Sequence, residues 1–298
     1  MLASVILAHG TKPHDWDELL RTWGTEPYVW LGLIVTALLY AIGLRRMWRE
    51  GGAGHGVHIW EAWCYAGGWL ALFVALVSPL HPWGSVLLSA HMTQHEILML
   101  VAAPLVVLGR PVLVYLRALP RTSSHALGRY SNTRPYRAAW GAIGNPFVAF
   151  LIHSVLLWVW HVPALFNATI DSELVHTLQH VSFLFPALLF WWALIHRGNN
   201  AAGYGVAVLY LFLIALHSQL LGVMMTFARR LWYTAYFETT IWWGLTPLED
   251  QQLAGLIMWT PAGLVYIAAA LALFAGWMRE SERRVRRREQ LAAHAPFG

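Results

Sequence analysis

Residues 86–108 read VLLSAHMTQHEILMLVAAPLVVL, 23 positions with one acidic side chain, Glu96, and two histidines four apart, His91 and His95. At about 1.5 Å per residue, a helix of that length crosses the roughly 30 Å hydrocarbon layer of a bilayer. Six further apolar runs join it, at approximately 27–44, 60–79, 146–165, 173–195, 203–226 and 251–277. Only 12% of the 298 residues are charged, against about 25% in soluble domains, so too few polar groups remain to cover a soluble core. The predicted fold class is therefore all-α, an integral membrane bundle of seven transmembrane helices, and a soluble enzyme is excluded.

Sixteen of the 20 Lys and Arg fall in segments on the side of the C-terminus, including Arg45, Arg46, Arg49, Arg110 to Arg137 and Arg279 to Arg288. Only Lys12, Arg21, Arg229 and Arg230 fall on the other. The positive-inside rule places the C-terminus in the cytoplasm and the N-terminus outside. The chain then divides into an outer tail (1–26), a membrane domain (27–278) with an interfacial helix near 111–119, and a basic cytoplasmic tail (279–298). The net charge of +5 reads as topology and lipid contact, not as nucleic-acid binding. Met1 to Ala8 is apolar but lacks a basic segment before it, and reads as an uncleaved tail. With Cys64 as the single cysteine, neither a disulfide nor a thiolate cage is possible, so a metal would be held by His, Met or carboxylate.

The depth of the 15 histidines carries the functional reading. His91 and His95 lie roughly 8 and 14 Å from the outer end of the third span, and His176 and His180 roughly 5 and 11 Å from that of the fifth. His161 and His217 fall in the same outer half. Each His-x-x-x-His pair stacks two imidazoles on one helix face. Two such faces opposed would give four nitrogen ligands suited to copper, zinc or iron. Met258, Met224 and Met225 add thioethers that favour Cu(I), although Met in an apolar span is commonly filler. Gln94, Glu96, Gln179, Asp250 and Gln251 are placed to orient ring N–H groups. Taken alone, His153 and His217 read as interhelical hydrogen-bond donors, a role worth about 0.6–2 kcal/mol.

The ordered set of HMTQH at 91–95, Ala103-Pro104, LGRP at 108–111, WHVP at 160–163, HTLQH at 176–180, FWW at 190–192 and LEDQQLAGLIMW at 248–259 resembles the CtaG family of polytopic cytochrome oxidase assembly factors. A copper chaperone of the same name has a single span and a cysteine site, and this chain does not resemble it. The resemblance implies a bacterial inner-membrane protein that is not an enzyme and that helps mature a haem-copper terminal oxidase by handling copper. Its implied partners are oxidase subunits, a periplasmic copper donor and the lipid bilayer. The family pattern covers His91, His95, His161, His176, His180, Asp250, Gln251 and Met258, with His217 and Met224 as further candidates for metal.

Two other readings use the same histidines. A b-type cytochrome would clamp haem between facing imidazoles, with Gly67-Gly68 forming a slot and Arg229-Arg230 meeting propionates. A copper or proton transporter would use them as a relay, with Pro186 and Pro261 breaking spans five and seven. A purely structural scaffold for oxidase subunits comes third.

Overall fold

The computed structural model describes residues 12–197 and 201–293, and all regular structure within them is helical. Met1 to Ala8 lies outside the described residues. In chain order the α-helices are α1 (Trp16–Arg21), α2 (Pro27–Gly51), α3 (Ile59–Leu76), α4 (Leu80–Trp83), α5 (Leu88–Glu96), α6 (Ala103–Leu108), α7 (Pro111–Ala118), α8 (Arg121–Ser131), α9 (Arg134–Ile143), α10 (Pro146–Trp160), α11 (Pro163–Asp171), α12 (Glu173–Arg197), α13 (Ala201–Thr226) and α14 (Pro247–Ala293). A π turn, Ile97–Ala102, joins α5 to α6, so the three form one continuous span.

Among the described residues, six helical segments are long and apolar enough to cross a membrane, or seven if the bent pair α9 and α10, which meet at 60°, is one span. The expected fourth span, 146–165, is interrupted. Trp160-His161-Val162-Pro163 is apolar in part, so hydropathy runs through it. However, Pro163 has no N–H to continue the ladder and instead opens α11 at its first position. Pro186 and Pro261 do not break α12 and α14. The described part of the basic tail is helical and continuous with the seventh span, since α14 runs to Ala293. The segment near 111–119 forms the helix α7, which Gly43 of α2 approaches so closely that a Cβ there would collide with the Val114 backbone.

The third span lies between α3, α12 and α14. Asp250, fully buried on α14, accepts the first backbone N–H groups of α5, from Leu88 (2.7 Å) and Ser89 (3.1 Å). A carboxylate there satisfies two orphan donors and complements the helix dipole. Seven residues after the π turn begins, Pro104 supplies no N–H, which leaves the Met99 carbonyl without its donor five residues on. The Trp191 indole N–H from α12 takes its place at 2.9 Å. Large apolar side chains such as Leu31, Leu38, Leu209, Phe212, Leu264 and Leu271 are exposed on the outer helix faces, as a lipid-facing surface requires.

Candidate metal centre

Two i,i+4 pairs on helices that face each other bring their rings together. Ring centroids of His91 and His95 are 4.5 Å apart, those of His176 and His180 4.2 Å, and across the seam His91–His176 is 5.0 Å and His95–His180 5.4 Å. His91, His176 and His180 each offer a ring nitrogen within 4.8 Å of the other two. The sequence spacing placed these four histidines on two faces, and the packing of the third span on α12 opposes them.

A fifth ring belongs to the group and was not visible in the sequence. His81, on the four-residue helix α4, stacks on His176 at 5.3 Å and meets His180 at 6.1 Å. Its Nε2 donates to the Glu26 carboxylate (3.2 Å), and its Nδ1 accepts from the Gln94 amide (3.0 Å), which also donates to the Ala75 carbonyl (2.6 Å). The signal was weak, because His81 lies between apolar runs and has no partner at helical spacing.

The ring nitrogens are unevenly satisfied. His95 is 1% exposed, and neither of its nitrogens has a hydrogen-bond partner; the Nε2 atoms of His161, His176 and His180 are buried and unpartnered as well. Each such group costs about 1–3 kcal/mol relative to a satisfied one. His161 donates from Nδ1 to the Leu157 carbonyl (2.7 Å), which fixes its tautomer and leaves the Nε2 lone pair free, the arrangement of a metal-ready imidazole. Two phenyl rings separate His161 from the others: Phe166, which also touches His91, and Phe183, which also touches His95.

Supporting residues surround His91. Its Nε2 meets Gln179 Oε1 at 3.0 Å, and its Nδ1 meets the Tyr236 hydroxyl at 3.1 Å; that hydroxyl also reaches the Gly84 carbonyl at 3.1 Å. Burial, with the Asp250 carboxylate nearby, pushes the Tyr236 phenol well above its ordinary range, so it remains a neutral donor at working pH. The segment between α13 and α14 closes over this end of the bundle. Tyr233 donates to the His161 carbonyl (2.9 Å), Thr239 donates to that of Val86 (2.7 Å), and Gln251 holds Trp232 N–H (2.6 Å) and the Arg230 carbonyl (3.2 Å).

Gln179 therefore touches His91, one of the paired rings, while Gln94 touches His81. Asp250 and Gln251 instead anchor backbone, and Glu96 is buried with one carboxylate oxygen unpartnered. His217 stands apart on the α10–α13 seam, bonded to Ser154 Oγ (2.8 Å) and packed on Phe150. Met258 is buried in the core on α14, whereas Met224 is exposed.

A family model described as cytochrome c oxidase caa3 assembly factor (Caa3_CtaG) matches residues 38–280. Uncharacterized proteins of Mycobacterium bovis and Mycobacterium tuberculosis are each 27% identical over 296 residues, covering 96% of this chain and 44% of the relative. One from Mycobacterium leprae is 26% identical over 283 residues, 91% of this chain and 42% of the relative. The chain thus spans less than half the length of the curated relatives it matches. No solved structure matches it.

Proposed function

The chain belongs to the cytochrome c oxidase caa3 assembly factor family, and on that premise we propose that its imidazole cluster carries copper to a haem-copper oxidase during assembly, binding and releasing the ion without chemical turnover. The observation that supports this most is the set of buried, unpartnered ring nitrogens on His95, His161, His176 and His180, beside three rings whose ligand atoms lie within 4.8 Å. Neutral imidazoles leave the ion's charge uncompensated in a low dielectric, so binding is moderate and the ion can be passed on. On this reading Cu(I) is cargo, taken from a periplasmic donor at the bacterial inner membrane, with the arginine-rich end of the bundle in the cytoplasm. His81, tied to Glu26 and stacked on His176, has both ring nitrogens hydrogen-bonded and on this reading positions His176 without holding the ion itself. The Met258 thioether, on the helix that packs against α5, is a soft donor held in reserve.

The two glycines considered for a haem slot are taken up by helix packing. A Cβ on Gly68 would meet Val106 N at 2.7 Å, and one on Gly67 would lie 3.6 Å from Leu105; the small residues seat α6, not a macrocycle. Elemental analysis and an absorption spectrum of the detergent-purified protein test the proposal, alongside a variant with His91, His95, His176 and His180 changed to Ala. Near-stoichiometric copper that the variant loses, without a Soret band, is expected. A Soret band, or no copper after loading, would overturn it. Copper flux into proteoliposomes would make the protein a transporter.

A further inference from the structure

At the opposite end of the bundle, a cleft of about 700 Å³ opens between α2, α7 and α8. Its lining carries Arg46, Arg117, Arg121 and His125 against one carboxylate, Glu50, together with Leu113 and Leu116. Arg46 donates to the carbonyls of Arg117 (3.2 Å), Ala118 (2.8 Å) and Leu119 (3.3 Å), which caps the last turn of α7, and Arg117 pairs with Glu50 at 3.5 Å. Those contacts build the walls. Arg121 and His125, four residues apart on one face of α8, make no side-chain hydrogen bond or ion pair within the described residues. The N-terminal turn of α8 has no side-chain cap and borders the same cleft.

We propose that this cleft binds the phosphodiester headgroup of an anionic phospholipid, with Arg121 and His125 on the phosphate and Leu113 and Leu116 against the acyl chains. The two leucines decide between a lipid and a free anion. Leu113 is 39% and Leu116 36% exposed, on a helix at the foot of the spanning helix α2, where a soluble phosphate would gain nothing from them and acyl chains would cover them. Arginines clustered beside the end of a span are the usual means of holding such headgroups. The site is independent of the copper reading, since it lies at the far end of the third span from the histidines.

The test uses the full chain, delipidated in detergent and titrated with phosphatidylglycerol, phosphatidylcholine or inorganic phosphate under native mass spectrometry. Phosphatidylglycerol is expected to bind about tenfold more tightly than phosphatidylcholine. The double variant Arg121→Gln with His125→Gln should lose that preference, and because neither side chain supports the fold, its thermal midpoint should match the parent's. Leu113→Ser with Leu116→Ser should weaken both lipids together. Millimolar phosphate should not displace the lipid. A preference that survives Arg121→Gln with His125→Gln would overturn the proposal by placing the lipid elsewhere, and displacement by phosphate would overturn it in favour of a free-anion site.

Discussion

The third span ends in two buried polar assemblies that are built oppositely. At its Leu108 end, the Tyr40 and Tyr65 rings stack at 3.5 Å and 2°. Tyr40 donates to the Gly109 carbonyl (2.8 Å), Tyr65 donates to that of Thr36 (3.1 Å), and the Tyr65 and Tyr115 hydroxyls share a 2.8 Å bond. Glu61 pairs with Arg110 at 2.8 Å and also accepts the His58 N–H (2.8 Å). At the Leu88 end, five imidazoles crowd together with several nitrogens unpartnered. Buried polar groups that are mutually satisfied fix a structure; buried polar groups left open represent stability withheld for something that arrives later. The histidine end is thus marked as a site by the bonds it does not make.

The sharpest way to break this contrast is His95→Leu with His180→Leu. Because those rings give up few hydrogen bonds, the apo protein should keep or raise its thermal midpoint while copper affinity falls by more than about 100-fold, as measured by competition with a chromophoric Cu(I) chelator. A drop in midpoint matching that of a paired residue would erase the distinction. Next, Arg110→Ala should lower stability by about 2 kcal/mol and leave copper binding intact. The figure is held below that of a fully buried pair because Arg110 is 47% exposed, although Glu61 is only 4% exposed. Denaturant unfolding in detergent reads the first effect and metal analysis the second.

Tyr236→Phe removes a hydroxyl that contacts a ring nitrogen without occupying the cluster's open positions. Copper affinity should fall about tenfold, in the range expected of groups that orient ligands, with stability changed by about 1 kcal/mol. Smallest is Tyr115→Phe, which takes one bond from the tyrosine end. It should lower the midpoint slightly, by about 1 kcal/mol, and leave metal affinity unchanged; altered copper binding would mean that the two ends are coupled.

Most of the helices were legible because each long apolar run has one use in a chain with so few charges. The break after Trp160 was not, since hydropathy averages over a proline whose effect is on a single hydrogen bond. His91, His95, His176 and His180 were legible as pairs because i,i+4 spacing is local. That the two pairs face each other is a tertiary fact. The role of Asp250 was misread for the same reason: a carboxylate beside a histidine layer resembles a ring orienter until the N-terminus of α5 is seen against it. His81 was missed because the residues its ring meets, Glu26, Gln94, His176 and His180, come from separate parts of the chain and none lies within a helical turn of it in sequence.

The π turn at Ile97–Ala102 has a consequence for how this span tolerates change in length. A π turn is an α-helix that has absorbed one surplus residue. Deleting one residue between His95 and Pro104 would restore a regular helix with its two ends nearly in phase, whereas inserting a further one would rotate everything beyond it by about 100° and push it out by about 1.5 Å. The histidine face would keep its alignment with α12, while Gly109 and Arg110 would swing away from Tyr40 and Glu61. The segment acts as a phase setting between two seams, so it should accept many substitutions of side chain and the loss of its surplus residue, but almost no insertion.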